Sequence, residues 1–303
     1  MSHPRHEILY NTGDGYLTKK DISNALRTVG VKEGDILMVH SDIGSFGKLA
    51  NADKEFLLHS LVESIQEVAG KEGTIIMPTF TYSFLKNEAF DVQKSKSATG
   101  TLTEYFRNQD GVQRTIHPTH SVAVAGNRAR QIMDIGKGTF DKNSIFGKMH
   151  KFNGKILLFG VKFHKACTFI HYIEEMHQVP YRYMKKLRGK IIENSKEYED
   201  KFFFYYRYAF ISNSFLSFED FLLKKNILKE VKIGNSSISF IECEKLFDEG
   251  RYLLDKDALF FLKNNTFLER AFNRTTCFFL TYFSMPIKIL YEFSSKIFHL
   301  IKS

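Results

Sequence analysis

Short apolar segments alternate with amphipathic helical segments over the first 165 residues, and this alternation is the feature that most constrains the fold. The segments that read as buried strands are rich in Ile, Leu, Val, Met and Ala, and they lie at 35–39, 73–77, 121–125 and 155–159. The segments that read as helices lie at 18–29, 53–69 and 101–107. Such an alternation is typical of a sheet covered by helices on both faces. We predict a single α/β domain with a central mixed, largely parallel sheet flanked by helices.

The pattern changes after residue 184, where charged residues alternate with runs of Phe and Tyr as far as residue 241. This change predicts antiparallel strands or a lid rather than further strand–helix–strand units. Helical spacing returns at 242–262. Because the sequence contains no internal repeat and no low-complexity linker, we expect one domain over residues 1–263.

A basic, aromatic tail follows the predicted domain at residues 264–303. Its Phe, Leu and Ile residues recur at helical spacing, and it carries five basic residues against two acidic ones. A basic amphipathic helix of this kind lies in an anionic membrane interface. The same pattern also suits a helix that packs on the body of the protein or on a second copy of the chain in a homodimer. The sequence leaves both interpretations open.

Charge and cysteine content narrow the class of protein. The 43 Lys and Arg outnumber the 34 Asp and Glu, which gives a formal net charge of +9. The basic residues are dispersed and no nucleic-acid-binding motif is present, so a nucleic-acid partner is not expected. Three cysteines are too few for a disulfide framework or a cysteine-rich zinc site. With no apolar leader and no run of about 18 apolar residues, we expect a cytoplasmic protein, at the inner face of the membrane if the tail binds there.

Polar loops accompany the predicted strands at 40–47, 77–81 and 114–121. In an open parallel sheet, the loops beyond the carboxyl ends of the strands form the ligand crevice. Gly44 and Gly47 allow close approach of the backbone, whose N–H groups hold a phosphate or a carbonyl oxygen. Polar loops are common after strands, so each loop alone is a weak indication of a site.

The clearest pair of chemical groups is His171 with Glu174, three residues apart in a predicted helix. Residues at this spacing are neighbours on the helix surface. A carboxylate beside one ring nitrogen fixes the tautomer of the imidazole and leaves the other nitrogen to accept a proton. The pair therefore has the chemistry to activate an amine or hydroxyl nucleophile, although such a histidine taken alone is more often structural.

Five segments, in their order and spacing, resemble the aminoglycoside 3-N-acetyltransferase family, also called the antibiotic N-acetyltransferase family. They are Val39-His-Ser41, Gly73-Thr-Ile-Ile-Met-Pro-Thr-Phe-Thr81, Ser97-Ala-Thr-Gly100-Thr-Leu-Thr-Glu-Tyr-Phe-Arg107, Arg114-Thr-Ile-His-Pro-Thr-His-Ser-Val-Ala-Val-Ala-Gly126 and Thr168-Phe-Ile-His-Tyr-Ile-Glu174. The resemblance is strong over residues 18–182 and weaker through the helix that ends near Leu262. The tail after Asn264 lies outside it. One departure is Cys167, which stands where the family often has Asn.

The resemblance implies a single α/β domain that transfers acetyl from acetyl-CoA to a primary amine on a sugar, with no metal. It implies His171 as the general base and Glu174 as its orienting partner. The residues that it implies on the coenzyme A and acetyl-group side are Ser41, Ile43, Gly44, Ser45, Phe46, Gly47, Thr79, Arg114, His117 and Ser121, with Thr168 near the thioester. Backbone N–H groups or hydroxyls of the first loop are expected to stabilise the tetrahedral oxyanion.

Three other readings of the same residues remain open. Cys167 lies four residues before His171, a spacing at which a thiol and an imidazole meet on a helix, so an acyl-cysteine intermediate is one alternative. A metal hydrolase that uses His117, His120, His171 and Glu174 as ligands is another, although the spacing matches no recognisable zinc signature. The third is a peripheral membrane-binding protein without catalysis.

The charge of the chain bears on the acceptor amine. Aminoglycosides are polycations, and a cleft that captures them is expected to be acidic. This chain is basic overall, which favours an anionic acceptor such as a nucleotide- or lipid-linked amino sugar in surface-glycan biosynthesis. Acetylation of an aminoglycoside, which confers antibiotic resistance, is the alternative. A strongly acidic cleft beside His171 would count against the glycan hypothesis.

Overall fold

The computed structural model describes residues 8–50, 53–208, 211–263, 269–270 and 273–277. Most of the predicted tail at 264–303 therefore lies outside the described residues. Of the part that is described, Asn273, Thr276 and Cys277 are buried, and Cys277 belongs to a hydrophobic core. Among the described residues, no helix is both long enough and apolar enough to cross a membrane.

Strands and helices follow one another along the described chain as the sequence pattern predicts. In chain order the strands are β1 (Ile8–Thr12), β2 (Gly15–Thr18), β3 (Ile36–Ser41), β4 (Lys48–Leu49), β5 (Thr74–Pro78), β6 (Phe90–Asp91), β7 (Gln113–Arg114), β8 (Val122–Gly126), β9 (Lys155–Phe159), β10 (Arg182–Glu193), β11 (Lys196–Arg207), β12 (Lys229–Ile233) and β13 (Ser236–Glu242). The helices are α1 (Lys19–Val29), α2 (Lys54–Ala69), α3 (Thr101–Phe106), α4 (Ala129–Met133), α5 (Ile145–Lys151), α6 (Phe163–Ala166), α7 (Ile170–His177), α8 (Leu216–Lys224) and α9 (Cys243–Lys256). The predicted strands become β3, β5, β8 and β9.

The central sheet has the strand order β12-β13-β9-β3-β5-β8-β7. Its mixed character is confirmed, and helices cover both faces. Parallel pairing is confined to the three central strands β9, β3 and β5, and the outer pairs are antiparallel. Two of these antiparallel pairs, β7–β8 and β12–β13, join strands that are close in sequence. The chain must reverse its direction between such neighbours, so they pair as antiparallel strands.

The side chains of the central strands alternate between two hydrophobic cores. In β3, Ile36 and Met38 face one core, whereas Leu37 and Val39 face the other. The same alternation runs through β5 and β9, because successive side chains of a strand point to opposite faces. Helices α1, α2 and α3 cover the second core, and α5, α7 and α9 cover the first. The predicted α/β layering is thereby confirmed, and α7 is packed against one face of the sheet.

Helix α1 shows how the sequence sets the helix boundaries. The Thr18 hydroxyl accepts a hydrogen bond from the Asp21 amide at 3.2 Å, and the Asp21 carboxylate accepts one from the Thr18 amide at 2.9 Å. This reciprocal pair is a capping box, which fixes the start of the helix at Lys19. At the other end Gly30 has a φ of 118°, a left-handed backbone that ends the helix at little steric cost.

A long antiparallel hairpin, β10–β11, occupies the region where the sequence pattern changes. Its twelve residue pairs run from Arg182 opposite Arg207 to Glu193 opposite Lys196. The predicted antiparallel strands are thus confirmed. The hairpin matters for the site because its first pair brings two arginines next to α7.

We expect Gly160→Ala to lower the free energy of unfolding by about 2–3 kcal/mol, of which about 1–2 kcal/mol reflects the left-handed backbone. Gly160 follows β9 with a φ of 80°. A Cβ there would lie 2.5 Å from the Asp42 carbonyl oxygen and 2.6 Å from the Ser45 hydroxyl. Urea unfolding measures the loss. Gly111→Ala is the matched control, because Gly111 has a φ of 76° and nothing within 4 Å of the added Cβ. Equal losses in the two variants would show that this close approach is not constrained.

Candidate active site

A cleft of about 210 Å³ opens at the carboxyl ends of β3 and β5. The chain leaves β3 for β5 on one side, while β9 lies on the other side of β3. Open α/β sheets bind their ligands at such a switch point. The lining residues are Val39, His40, Ser41, Pro78, Phe80, Tyr82, Thr99, Thr103, Lys165, Ala166 and Thr168. Ser41 and Thr168, both predicted from the sequence, therefore face one shared space.

His171 lies in the first turn of α7, three residues beyond the cleft-lining Thr168. The His171 amide donates to the Thr168 carbonyl at 3.0 Å, which joins the helix to the cleft wall. The Nδ1 atom of His171 is 2.6 Å from Oε2 of Glu174. With the carboxylate ionised, Nδ1–H donates and the tautomer is fixed. The imidazole is 25% exposed, so Nε2 remains for proton exchange with a ligand.

Glu174 is fully buried and its carboxylate is saturated with partners. Oε2 contacts Nε of Arg182 at 2.8 Å in addition to His171. Oε1 accepts hydrogen bonds from the Tyr181 hydroxyl at 2.9 Å and from the Asn213 amide at 3.0 Å. Burial by itself raises the pKa of Glu174, but the charge of Arg182 and these hydrogen bonds outweigh it and hold the pKa below its usual range. Glu174 is therefore a carboxylate at neutral pH.

The same surroundings keep His171 neutral. Burial and then the positive charge of Arg182 lower the pKa of the imidazole, and the charge of Glu174 only partly offsets them. Nη2 of Arg182 lies 2.9 Å from Nδ1 of His171, close enough for the positive charge of Arg182 to disfavour the imidazolium. A histidine with a pKa below 6.5 is ready to accept a proton at pH 7.

We expect the activity to fall as the pH is lowered through this ionisation. Because the pKa of His171 is lowered, kcat/KM calculated for the neutral amine should rise with pH and reach half of its plateau below pH 6.5, the usual pKa of histidine. A pH–rate profile of kcat/KM for an acceptor whose amine pKa is measured separately tests this, since that ratio reports the free enzyme and the free acceptor. After correction for the ionisation of the amine, an acid limb centred above pH 7 would contradict the assignment of His171 as the base.

The predicted loop at 41–47 forms a short 3-10 helix, Ile43–Phe46. The Ser45 hydroxyl donates to the Gly160 carbonyl at 2.6 Å, which ties this loop to the end of β9. The Phe46 ring is fully buried and packs edge-on against Phe159 at 4.9 Å. The side chains of Ser45 and Phe46 therefore hold the loop in place, and their contact with coenzyme A stays a prediction.

The remaining loop positions differ in their access to solvent. Gly44 is exposed, and Ile43 is partly buried against the hydrophobic core beneath it. A Cβ at Gly47 would lie 2.5 Å from the Asn11 carbonyl oxygen, so this glycine is needed for the close approach of β1. The role of Ile43, Gly44 and Gly47 in binding coenzyme A stays a prediction.

Thr79, Arg114 and Ser121 are brought together, but they bind one another. The Arg114 guanidinium donates to the Thr79 carbonyl at 2.8 Å and to the Ser121 hydroxyl at 3.2 Å, and the Ser121 hydroxyl donates to the Thr79 carbonyl at 2.7 Å. Arg114 also donates to the Ser95 carbonyl at 2.6 Å. Thr79 and Ser121 are completely buried. These side chains brace the strand end beneath the cleft, and a direct contact with coenzyme A stays a prediction.

His117 and His120 are buried among aromatic rings. Nδ1 of His117 accepts from the His120 amide at 3.1 Å, and burial lowers the pKa of His117 to about 3. The Phe140 ring separates His120 from His171, at 5.0 Å and 5.3 Å between centroids. Among the described residues, no group of three or more His, Cys, Asp and Glu side chains is placed to hold a metal ion. The ligand set proposed for a metal hydrolase is therefore not assembled.

The thiol alternative is also disfavoured by the structure. Cys167 is buried, and its burial raises the pKa of the thiol well above the usual range. A thiolate is the nucleophilic form of cysteine, and such a site suppresses it. In addition, Nδ1 of His171 is engaged with Glu174 rather than with the thiol.

The sequence alone missed three members of the site, Tyr181, Arg182 and Asn213. Each of them reaches the buried Glu174 from outside α7. Tyr181 and Arg182 come seven and eight residues after Glu174 through a turn, and Asn213 arrives after the whole hairpin. A buried carboxylate needs a cation and hydrogen-bond donors. The sequence alone does not indicate which residues supply them to Glu174.

Known proteins are similar to this chain in sequence and in fold. The family model described as Aminoglycoside 3-N-acetyltransferase matches residues 38–255. The SPbeta prophage-derived aminoglycoside N(3')-acetyltransferase-like protein YokD of Bacillus subtilis is 25% identical over 206 residues, which are 59% of this chain and 72% of that protein. Aminoglycoside N(3)-acetyltransferase III of Acinetobacter baumannii is 24% identical over 188 residues, 54% of this chain and 62% of that enzyme.

Solved structures agree with these relatives. The apoenzyme of aminoglycoside acetyltransferase AAC(3)-IVa superposes with a TM-score of 0.68 at 26% identity, covering 82% of this chain and 92% of that one. The AAC-IIIb binary complex with CoASH has a TM-score of 0.69 at 18% identity, covering 79% and 97%, and supports the fold. The family model covers more than two thirds of the sequence, and the fold agrees over four fifths of it. The chain belongs to the aminoglycoside 3-N-acetyltransferase family.

Proposed function

We propose that this protein transfers an acetyl group from acetyl-CoA to a primary amine of an amino sugar, with aminoglycosides as the acceptor class that the comparisons support. The observation that carries the proposal is the pair of His171 and Glu174, whose Nδ1 and Oε2 atoms are 2.6 Å apart beside the cleft at the strand ends. A neutral, tautomerically fixed imidazole in a partly exposed position is the group that such a transfer requires.

The reaction needs one proton acceptor and no covalent enzyme intermediate. The substrate ammonium first loses a proton to water and becomes a neutral amine. Nε2 of His171 then removes a second proton as the amine nitrogen attacks the thioester carbonyl. The tetrahedral intermediate then collapses, the C–S bond breaks, and the coenzyme A thiolate takes up the proton from the imidazolium. Glu174 stabilises the imidazolium through its charge while keeping the ring in place.

The acetyl group belongs in the cleft, next to Thr168 and Ser41. Both residues line this space and both carry hydroxyls, the donors that an oxyanion needs. Lys165 lines the same cleft and supplies a positive charge for the phosphates of coenzyme A. The complex of AAC-IIIb with CoASH shows that another protein of this fold binds the coenzyme.

Aminoglycosides are the first acceptor class to test. The relatives carry aminoglycoside acetyltransferase names, and a variant of AAC(3)-IVa has been solved in complex with apramycin. None of these relatives supports the expected role in surface-glycan biosynthesis. Even so, one observation favours a second candidate, an anionic amino sugar, because Arg182 and Arg207 flank the single carboxylate of Glu174. Among the described residues, the surroundings of Glu174 are not the strongly acidic ones that would suit a polycation.

Release of free thiol from acetyl-CoA tests the proposal directly. The panel should set several aminoglycosides beside nucleotide-linked amino sugars, with mass spectrometry to locate the acetyl group. Turnover on aminoglycosides supports the first candidate, and turnover on nucleotide sugars alone supports the second. Absence of thiol release with every amine would overturn the proposal. Membrane contact by the tail and a homodimer stay predictions that this assay leaves aside.

A further inference from the structure

Two arginines face each other at the open end of the hairpin. Arg182 begins β10 and Arg207 ends β11, and the two are directly paired across the strands. Cross-strand partners lie on the same face with Cβ atoms about 5 Å apart, and like charges in this arrangement are destabilising. The pair therefore calls for compensating negative charge on this face of the hairpin.

Of the two arginines, Arg182 is the one that makes a direct ion pair with a described residue. Its guanidinium contacts Glu174 at 2.8 Å and donates to the Tyr205 carbonyl at 3.1 Å, and its side chain is 5% exposed. Glu174 in turn divides its oxygens among Arg182, His171, Tyr181 and Asn213. The carboxylate of Glu174 is thus fully occupied.

Arg207 carries a charge that no direct contact with a described residue neutralises. Within the described residues its half-buried guanidinium makes no ion pair and no hydrogen bond. Its charge contributes to the lowered pKa of His171, which places it near the catalytic ring. Glu175 makes no ion pair with Arg207, and burial and the charge of Asp141 raise its pKa to about 7, which weakens its negative charge at neutral pH. An unpaired, partly desolvated cation beside a catalytic base is suited to bind an anion.

We propose that Arg207 binds an anionic oxygen group, a carboxylate or a phosphate, on the acceptor amino sugar and thereby selects an anionic acceptor over a polycation. The inference rests on the proposed acetyl transfer and favours its second candidate acceptor. Arg207 is then a specificity-determining residue. The planar guanidinium fork matches both anions with two parallel hydrogen bonds.

The position of Arg207 favours the acceptor rather than coenzyme A. The cleft at the strand ends, where we place the acetyl group, is not lined by Arg207. Thr168 borders that cleft before α7 begins, whereas the charge of Arg207 interacts with Glu174, six residues further along the chain. A group bound to Arg207 would therefore lie outside the space that we assign to the acetyl group, as the acceptor must.

Two acceptors that differ by a single phosphate group provide the test. With acetyl-CoA as donor, we expect glucosamine 6-phosphate to exceed glucosamine in kcat/KM by about ten- to a hundredfold, the range of one charge-assisted hydrogen-bonded contact. Arg207→Gln should abolish this preference and leave the KM for acetyl-CoA unchanged, and Arg207→Lys should retain part of it. Lys190→Gln is the charge-matched control, because Lys190 lies on the same hairpin in an exposed pair with Glu197, and it should keep the full preference.

Several outcomes would overturn the inference. They are an unchanged preference in Arg207→Gln, a rise confined to the KM for acetyl-CoA, and a wild-type preference for the uncharged sugar. Should no acceptor release thiol, the proposed acetyl transfer has failed, and calorimetric titration with glucosamine 6-phosphate still tests Arg207. Binding that is lost in Arg207→Gln supports the anion site, whereas equal binding or no binding in both proteins refutes it.

Discussion

His171→Ala is expected to lower kcat by at least about a hundredfold while the protein stays folded, because general-base catalysis contributes about 10²–10⁴ in rate. The substrate ammonium would still lose a proton to water, but no positioned group would take the second proton as the amine attacks. The imidazole is 25% exposed and its removal opens no sealed cavity, so the fold should tolerate the change. Thiol release at saturating substrates gives kcat, and circular dichroism confirms folding.

His59→Gln is the control for removing a histidine without removing the base. Its imidazole is 63% exposed on α2, where it lies 3.8 Å from Glu63 and 3.5 Å from the Tyr105 hydroxyl. We expect its kcat to match that of the wild type. Near-normal turnover in His171→Ala would remove His171 from the mechanism and reopen the question of which group accepts the proton.

Glu174→Gln should damage both stability and rate. The variant keeps the shape but leaves the buried guanidinium of Arg182 without its countercharge, and breaking a buried ion pair costs about 3–5 kcal/mol. The amide also holds the imidazole less well in the required tautomer, and loss of the carboxylate from such a unit lowers kcat by up to about 10⁴-fold. Urea unfolding and thiol release, both at a temperature where the variant is folded, measure the two effects.

A second substitution separates these two effects. Adding Arg182→Met to Glu174→Gln removes the stranded charge, so we expect part of the lost stability to return while the rate stays low. Glu197→Gln, which breaks only the exposed pair with Lys190 at 2.7 Å, should change stability by less than about 1 kcal/mol. If the double variant regained activity together with stability, Glu174 would be a structural group and not the orienting partner of His171.

The sequence predicted those parts of the fold that depend on local patterns. The buried strands β3, β5, β8 and β9 and the helices α1 and α2 follow from hydrophobic periodicity and helix capping, which involve neighbouring residues. The strands β6 and β7 could not be predicted in this way, because two residues are too few to show a hydrophobic periodicity. Parallel pairing was over-extended for a related reason, since strand direction depends on connections that no local pattern specifies.

The candidate site divides in the same way. The pairing of His171 with Glu174 was predictable because an i, i+3 spacing fixes the distance on a helix. The contacts of Arg182 and Asn213 with Glu174 were not, since a turn separates Arg182 from α7 and the whole hairpin separates Asn213 from it. Thr79, Arg114 and Ser121 were correctly grouped, but composition cannot tell whether polar side chains face a ligand or face one another.

The two arginines of the first hairpin pair, Arg182 and Arg207, differ in how freely they can be substituted during evolution. Arg182 on β10 is tied to the buried Glu174, so replacing it disturbs the base and the stability together. Arg207, directly across from it, has no such tie and can be exchanged without unseating the base. If Arg207 selects the acceptor as proposed, descendants of one enzyme can acquire new acceptors through substitutions at the end of β11 while they keep the contacts among His171, Glu174 and Arg182.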